Sequence, residues 1–169
     1  MLISRHALER HRIVIDKAYE PGAMNYHGAE FRQTDTLTVK AVAELAGEEI
    51  RIRGFLKTRI EAACDRCLNA VSLPVERDFD LTYRPVGTIA REEEMELPEG
   101  ELDIGFYHGD GIDLGDVLAE QVILALPMKV VCREDCLGLC PSCGADRNAG
   151  ACSCPAPQSV SPFAALGGD

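Results

Sequence analysis

Eight cysteines, all arranged in close pairs, constrain this chain more than any other feature of its sequence. One pair stands alone in the first half of the chain, and the other six cysteines fall between positions 132 and 154. Closely spaced cysteines are typically metal ligands in a reducing compartment, whereas an even number in a secreted chain favours disulfides. The N-terminal residues lack the apolar stretch of a secretory signal, so we expect a cytoplasmic protein with metal-bound cysteines.

The spacing of the pairs predicts two zinc sites with four thiolate ligands each. Zinc prefers four ligands in a tetrahedron, and a closed site of this kind is structural because it leaves no position for water or substrate. The isolated pair needs a distant partner pair, and the nearest one follows the predicted helix. The two predicted sites are Cys64, Cys67, Cys132 and Cys136, and Cys140, Cys143, Cys152 and Cys154. A site made of Cys132, Cys136, Cys140 and Cys143 is the alternative grouping, and an iron–sulfur cluster is the alternative metal group.

Alternating apolar and polar residues predict strands at 36–46, 50–61 and 71–83, with a short strand at Leu102–Tyr107. A helix is predicted over 113–126, with Asp113 as its N-cap and Pro127 ending it. We therefore expect an α+β protein: a mainly antiparallel β domain with one main helix and a zinc-stabilised, cysteine-rich C-terminal lobe. The expected division is a β-rich domain at 1–131, a zinc-binding lobe at 132–154 and a flexible tail at 155–169.

The net charge of −11 lies in one part of the chain, since residues 76–120 hold 14 acidic and 3 basic residues. Non-specific binding to nucleic acid depends on neutralising phosphates, so this charge argues against a protein that coats nucleic acid. No run of apolar residues is long enough to span a membrane. The acidic stretch at 91–101 is predicted to be a solvated loop.

One face of the predicted strand at 50–61 is basic and carries an aromatic ring. This face, together with one arginine beside the first cysteine pair, supplies the candidate RNA-binding residues: Arg51, Arg53, Phe55, Lys57, Arg59 and Arg66. Aromatic rings flanked by cations are typical of surfaces on which bases stack. The alternative is that these cations form cross-strand ion pairs with the acidic face of the next strand, residues 76–80. Both alternatives remain open from the sequence.

Three motifs occur in order: CDRCL from Cys64, E-x3-L-x-L-P from Glu120 to Pro127, and KVVCREDCLGLCPSCGADRN from Lys129. Together they resemble the YceD family of large ribosomal RNA subunit accumulation proteins. The resemblance implies a role in accumulation or maturation of 23S ribosomal RNA. It also implies that the second set of four cysteines is an accessory site, because some members of the family lack it.

We expect a ribosome-biogenesis factor that binds pre-ribosomal 23S RNA, a basic large-subunit ribosomal protein, or both, and that has no small-molecule substrate. The sequence contains none of the common catalytic motifs, such as a phosphate-binding glycine loop or HExxH, so we do not expect an enzyme. An RNA-processing or RNA-modifying enzyme subunit is the first alternative. A zinc or thiol redox sensor is the second.

Overall fold

A computed structural model describes residues 1–86 and 104–154. The acidic stretch 91–101, the start of the strand predicted at Leu102, and the tail 155–169 lie outside the described residues. The contacts divide the chain into two compact units, Met1–Ala62 with Ser72–Met128 and Ala63–Val71 with Lys129–Asp169. Sequence analysis placed residues 63–71 in the β-rich part, but their contacts group them with the cysteine-rich residues because the two cysteines among them meet their partners there.

The described chain contains eight strands and two helices. In chain order these are β1 (Leu2–Ser4), α1 (Arg5–Leu8), β2 (Ile13–Tyr19), β3 (Phe31–Gln33), β4 (Leu37–Ala46), β5 (Glu49–Ala63), β6 (Ala70–Pro85), β7 (Ile104–Tyr107), β8 (Gly111–Asp113) and α2 (Leu114–Leu124). The main sheet has the order β2-β4-β5-β6-β7, with β3 also pairing with β5, while β1 and β8 form a separate pair. Neither helix is long and apolar enough to cross a membrane within the part of the chain described.

The predicted mainly antiparallel sheet with one main helix is confirmed. β4 pairs antiparallel with both β2 and β5, and β3 pairs antiparallel with β5. β7 runs parallel to the end of β6, so the sheet is mixed at that edge. The alternation seen in the sequence sets the buried face, since Ile50, Ile52, Leu56 and Ile60 are all fully buried and Thr58 of the same face is buried too, while Arg53, Phe55, Lys57 and Arg59 face solvent.

Gly54 lets two strands approach closely within this sheet. It lies opposite Ala41 on β4, and a Cβ at Gly54 would collide with the Ala41 side chain and with the carbonyl oxygen of Lys40. Only glycine fits a strand position where another backbone comes this near.

The helix α2 begins as predicted, because the side chain of Asp113 accepts a hydrogen bond of 2.6 Å from the backbone N–H of Gly115. Leu114, Val117, Leu118 and Val122 are buried along one face. The apolar residues at positions 123–126 suggest a well-buried last turn, but Leu124 is 55% exposed, so that suggestion is wrong. A helix that packs on one side of a sheet buries a single stripe, so apolar residues outside that stripe stay in contact with solvent.

Arg77, which interrupts the apolar row of β6, is explained by the end of α2. Its Nε donates to Oε1 of the buried Gln121 at 3.0 Å, and its Nη1 donates to the carbonyl of Leu124 at 3.2 Å. The last carbonyls of a helix lack intrahelical partners, and a cation placed there satisfies them. The arginine therefore joins the helix to the sheet.

The strand β2 was not predicted from the sequence. It lies at the edge of the sheet, and Ile15 is its one fully buried side chain while Val14 is largely exposed. An edge strand that contributes little to the core carries only a weak alternation of apolar and polar residues.

Replacing Asp113 tests the N-cap. Asp113→Ala should lower the free energy of unfolding by about 1 kcal/mol, because the helix loses the acceptor for the Gly115 N–H. Asp113→Asn is the matched control, since asparagine caps about as well as aspartate and removes only the charge. Urea denaturation followed by circular dichroism would measure both. Equal losses for the two variants would show that the charge matters and the cap does not.

Candidate metal centres

The structure brings Cys64, Cys67, Cys132 and Cys136 together in the first candidate centre, with all four sulfur atoms within 4.8 Å of one another. The sulfurs of Cys64 and Cys136 are 4.0 Å apart, and those of Cys67 and Cys132 are 3.7 Å apart. Four sulfurs bound to one zinc ion at about 2.3 Å would be about 3.8 Å apart, because a tetrahedron's edge is about 1.6 times its centre-to-corner distance. The thiols are therefore spaced as ligands of a single ion.

The first pair of ligands is held by a tight turn between β5 and β6. The N–H of Leu68 donates to the carbonyl of Cys64 at 2.9 Å, which points both sulfurs of the pair in one direction. Leu68 closes this turn with a φ of 62°, in the left-handed region that leucine rarely adopts. In the second centre the equivalent residue is Gly144, with a φ of 72° and the same bond to the carbonyl of Cys140, at 2.8 Å.

Hydrogen bonds connect this turn to the segment that carries Cys132 and Cys136. The N–H of Asp65 donates to the carbonyl of Val130 at 2.8 Å, and the N–H of Val130 donates to Oδ2 of Asp65 at 2.7 Å. The carbonyl of Arg66 accepts from the N–H of Leu139 at 2.9 Å. A Cβ at Gly138 would lie only 2.8 Å from that same carbonyl, so the two segments meet where glycine permits it.

Arg66, a candidate RNA-binding residue, uses its side chain within the first centre. Its Nη1 donates to the carbonyls of Glu134 and Cys136, at 2.8 and 2.9 Å. The guanidinium thus satisfies backbone carbonyls in the turn that presents Cys136. Its contact with RNA remains a prediction, and its structural role could not be predicted from spacing or local pattern.

The second candidate centre contains Cys140, Cys143, Cys152 and Cys154, whose sulfur atoms also lie within 4.8 Å of one another. Of these four, Cys140 alone is buried, and Cys143 is exposed. In the first centre three of the four cysteines are buried. The grouping of all eight cysteines is the predicted one, and the alternative that combines Cys132 and Cys136 with Cys140 and Cys143 is not what the structure shows.

Asn148, which the sequence analysis overlooked, connects the two centres. It lies in the loop between Cys143 and Cys152, yet its Nδ2 donates to Sγ of Cys136 at 3.5 Å. Its Oδ1 accepts from the N–H of Leu137 and from Arg133, both at 2.8 Å. An amide that touches a ligand sulfur helps to orient that ligand. Its position in a loop bounded by cysteine pairs was the available signal.

The four thiols of the first centre differ in how readily they lose a proton. Burial raises the pKa of Cys64, but backbone N–H groups of Arg66, Cys132 and Cys67 outweigh burial and lower it to about 6. Burial and the neighbouring thiols Cys136, Cys67 and Cys64 raise the pKa of Cys132 to about 12. Four thiolates repel one another, so a cation among them is needed for all four to ionise together.

The second centre also contains one thiol with a lowered pKa and one with a raised pKa. Backbone N–H groups of Cys143 and Ser142 lower the pKa of Cys140 to about 6. The hydrogen bond to Cys143, together with burial, raises the pKa of Cys154 to about 12.

The donor sets fit structural zinc. All eight cysteines are free, and each group offers four sulfurs and no other ligand type within the described residues. The close spacing favours one ion per group, because a [2Fe–2S] or [4Fe–4S] cluster would divide the four sulfurs among two or four iron atoms and so hold some or all of them further apart. Either group would hold its ion in a closed thiolate shell, and the ion would supply cross-linking rather than a reactive position.

Three of the candidate RNA-binding residues on β5 are ion-paired. Arg51 forms two hydrogen bonds with Asp80, at 2.7 and 2.6 Å, and the Arg51 guanidinium lowers the pKa of that carboxyl. Lys57 contacts Glu76 at 2.7 Å on the same neighbouring strand. The cross-strand pairing that the sequence offered as the alternative is therefore present.

The third ion-paired candidate is Arg53, which contacts Glu44 of β4 at 2.7 Å, a partner that sequence analysis did not identify. The other two candidates on this face are Phe55 and Arg59. Phe55 is 38% exposed, and Arg59 contacts Ser72 at 3.4 Å. The structure places all five on the solvent face of β5, and their contact with RNA remains a prediction.

Comparison with known proteins places these features in a family. The family model described as "Large ribosomal RNA subunit accumulation protein YceD" matches residues 52–168. An uncharacterised protein of Mycobacterium tuberculosis is 28% identical, with 76% of this chain and 60% of the relative covered. A chloroplastic YCED homolog 1 of Zea mays, named a large ribosomal RNA subunit accumulation protein, is 28% identical over 87% of this chain and 57% of its own length.

An Arabidopsis thaliana homolog of the same name is 23% identical, with 63% of this chain and 40% of the relative covered. The chain thus spans about 60% or less of the length of these relatives. No solved structure is significantly similar to it.

Serine variants of one ligand in each centre test the two sites. Cys64→Ser should remove one bound ion and destabilise the turn that begins at Cys64, because structural metal binding contributes directly to folding. Cys143→Ser should also remove one ion but leave that turn in place. Native mass spectrometry would count the ions, and hydrogen exchange would report the amides of Leu68 and Gly144.

We expect Cys64→Ser to expose the Leu68 amide, and Cys143→Ser to expose the Gly144 amide while Leu68 stays protected. A Cys64→Ser variant that retains both ions would contradict the first centre.

Proposed function

Since the chain belongs to the YceD family of large ribosomal RNA subunit accumulation proteins, we propose that it is a ribosome-biogenesis factor that supports 23S ribosomal RNA accumulation and large-subunit assembly. The observation that carries this proposal is the family match over residues 52–168, which includes both cysteine centres and α2. The names of the maize and Arabidopsis homologs support the same process.

We propose that the protein acts as a binding module and not as an enzyme. Both cysteine groups would surround their ions with thiolates, which leaves no position for a substrate. The two ions, proposed to be zinc, would hold the turns and loops of the second unit in place. The spacing of the sulfurs supports this assignment, and the more exposed second centre is the accessory one.

The ion pairs on β5 favour a protein partner over RNA. Arg51, Arg53 and Lys57 already contact carboxylates of the chain itself, so they have less charge to offer to phosphates. RNA contact is the second candidate role, supported by the exposed ring of Phe55 and the neighbouring Arg59. Stacking on one aromatic ring contributes about 1–3 kcal/mol per base.

Sedimentation of a tagged protein through sucrose gradients tests the proposed function. We expect the protein to travel with large-subunit precursors, and we expect a deletion strain to accumulate less mature 23S RNA than small-subunit RNA. Absence from every ribosomal fraction, together with normal 23S RNA in the deletion strain, would overturn the proposal.

The RNA role has its own test. If β5 stacks bases, crosslinking and sequencing should recover 23S fragments from the wild type and at least tenfold fewer from the double variant Phe55→Ala/Arg59→Gln. Val14→Ala/Lys17→Gln, at two exposed residues of β2, serves as the matched control. Equal recovery from both variants would contradict RNA contact at β5.

A further inference from the structure

The strand β6 has an edge that β7 covers only in part. β7 pairs with the end of β6, from Thr82 to Pro85. The other neighbour of β6 is β5, on the opposite side. Within the ranges that the structure describes, no strand pairs at this edge with the residues of β6 that precede Thr82. Backbone groups at an open edge can pair with a further strand, which is how many proteins bind extended peptides.

A cavity of about 450 Å³ lies along this edge, between β6, the start of β7 and the second half of α2. Phe79, Leu81, Tyr83 and Ile104 contribute apolar surface to it. Leu124, which lies outside the buried stripe of α2 and is exposed, is part of the same wall. An extended peptide placed here would cover the exposed apolar residues at the end of α2.

The charges around the cavity indicate which charge a bound partner should carry. Its lining includes Asp78, Asp80 and Glu120 and the single cation Arg77. Arg51 neutralises Asp80, and the guanidinium of Arg77 is bound to the side chain of Gln121 and the end of α2. Asp78 and Glu120 have no ion-pair partner among the described residues. Asp78 alternates along β6 with Arg77 and Phe79, so its side chain lies on the opposite face of the strand from α2, whereas Glu120 belongs to α2. Even with the positive charge of Arg77, the lining is therefore net negative, with one unpaired carboxylate on each face of the edge.

Tyr83 adds a polar group to the same wall. Burial and the carboxylate of Glu120 raise the pKa of Tyr83 to about 12, so its hydroxyl remains protonated at neutral pH. A neutral hydroxyl close to the carboxylate of Glu120 suits an ammonium or guanidinium ligand, whereas the carboxylate would repel phosphate.

We propose that this cavity binds an extended polypeptide segment that carries lysine or arginine, with its backbone added to the edge of β6 at Asp78–Leu81 and its cations near Asp78 and Glu120. The inference rests on the proposed function, for which it names the partner class: a basic segment of a large-subunit protein. The chain's own residues 87–103 are less suited to this acidic site, because they contain several acidic residues and one basic residue, Arg91.

A pair of labelled peptides tests the site in the full-length protein. One repeats Val-Val-Lys-Lys over about twelve residues, which places lysines on both faces of an added strand, and the other has glutamate at each lysine position. Fluorescence anisotropy at about 0.15 M salt limits long-range attraction to the protein's net charge. We expect the lysine peptide to bind and the glutamate peptide not to bind.

Two double variants separate the cavity from general acidity. Asp78→Asn/Glu120→Gln should weaken binding of the lysine peptide about tenfold, since it removes the two carboxylates that face the ligand. Asp16→Asn/Glu30→Gln, which changes the net charge equally at exposed sites outside the cavity, should leave binding unchanged. Equal weakening by both variants, no binding of the lysine peptide, or displacement of the peptide by an RNA oligonucleotide would overturn the proposal.

Hydrogen exchange identifies the occupant of the edge. Amides within Asp78–Leu81 should gain protection when the lysine peptide is added. If all of them are already protected in the free protein and the peptide changes nothing, the chain's own segment occupies the edge and the inference is wrong. If the peptide fails to bind while the protein still travels with large-subunit precursors, the inference fails and the proposed function stands.

Discussion

The fold of the second unit depends on sulfur atoms rather than on a hydrocarbon core. Its buried side chains, within the residues described, are those of Cys64, Cys67, Cys136 and Cys140. Val71, Val131 and Leu139 pack around the first three of these and are only partly buried. So few apolar groups cannot offset the conformational entropy of ordering these loops. A structural zinc ion contributes about 10–16 kcal/mol of binding free energy, which is enough to make folding and metal binding one event.

The first unit obtains its stability differently, from the buried face of a twisted sheet and the stripe of α2. Its solvent face carries many charges, but most of those on β5 are paired with the strands on either side. Pairs as exposed as these contribute little to stability, about 0–1 kcal/mol each. Their main effect is to leave a nearly neutral surface, whereas the uncompensated carboxylates lie at the far edge of β6. The surface that looks basic in the sequence is thus not the surface that carries free charge.

Sequence reasoning recovered whatever depends on local pattern. Alternation located β4, β5 and β6, and the N-cap at Asp113 followed from local chemistry. The grouping of the cysteines followed from their paired spacing and from the four ligands that zinc requires, even though the first group joins pairs far apart in the sequence. Prediction failed for single residues whose role depends on a distant partner and whose spacing carries no such signal. Arg77 interrupts the apolar row of β6 because it binds Gln121 of α2, and the role of Asn148 depends on its contact with Cys136. Edge strand β2 was missed because it buries too little surface to leave a pattern.

We propose that two ions, each surrounded by four thiolates, hold the second unit together. X-ray absorption at the zinc edge, on protein purified without added metal, measures this coordination directly. We expect a zinc signal with a shell of four sulfur atoms at about 2.3 Å and no nitrogen or oxygen neighbours. A shell containing nitrogen or oxygen, or a spectrum at the iron edge with short iron–iron distances, would contradict it.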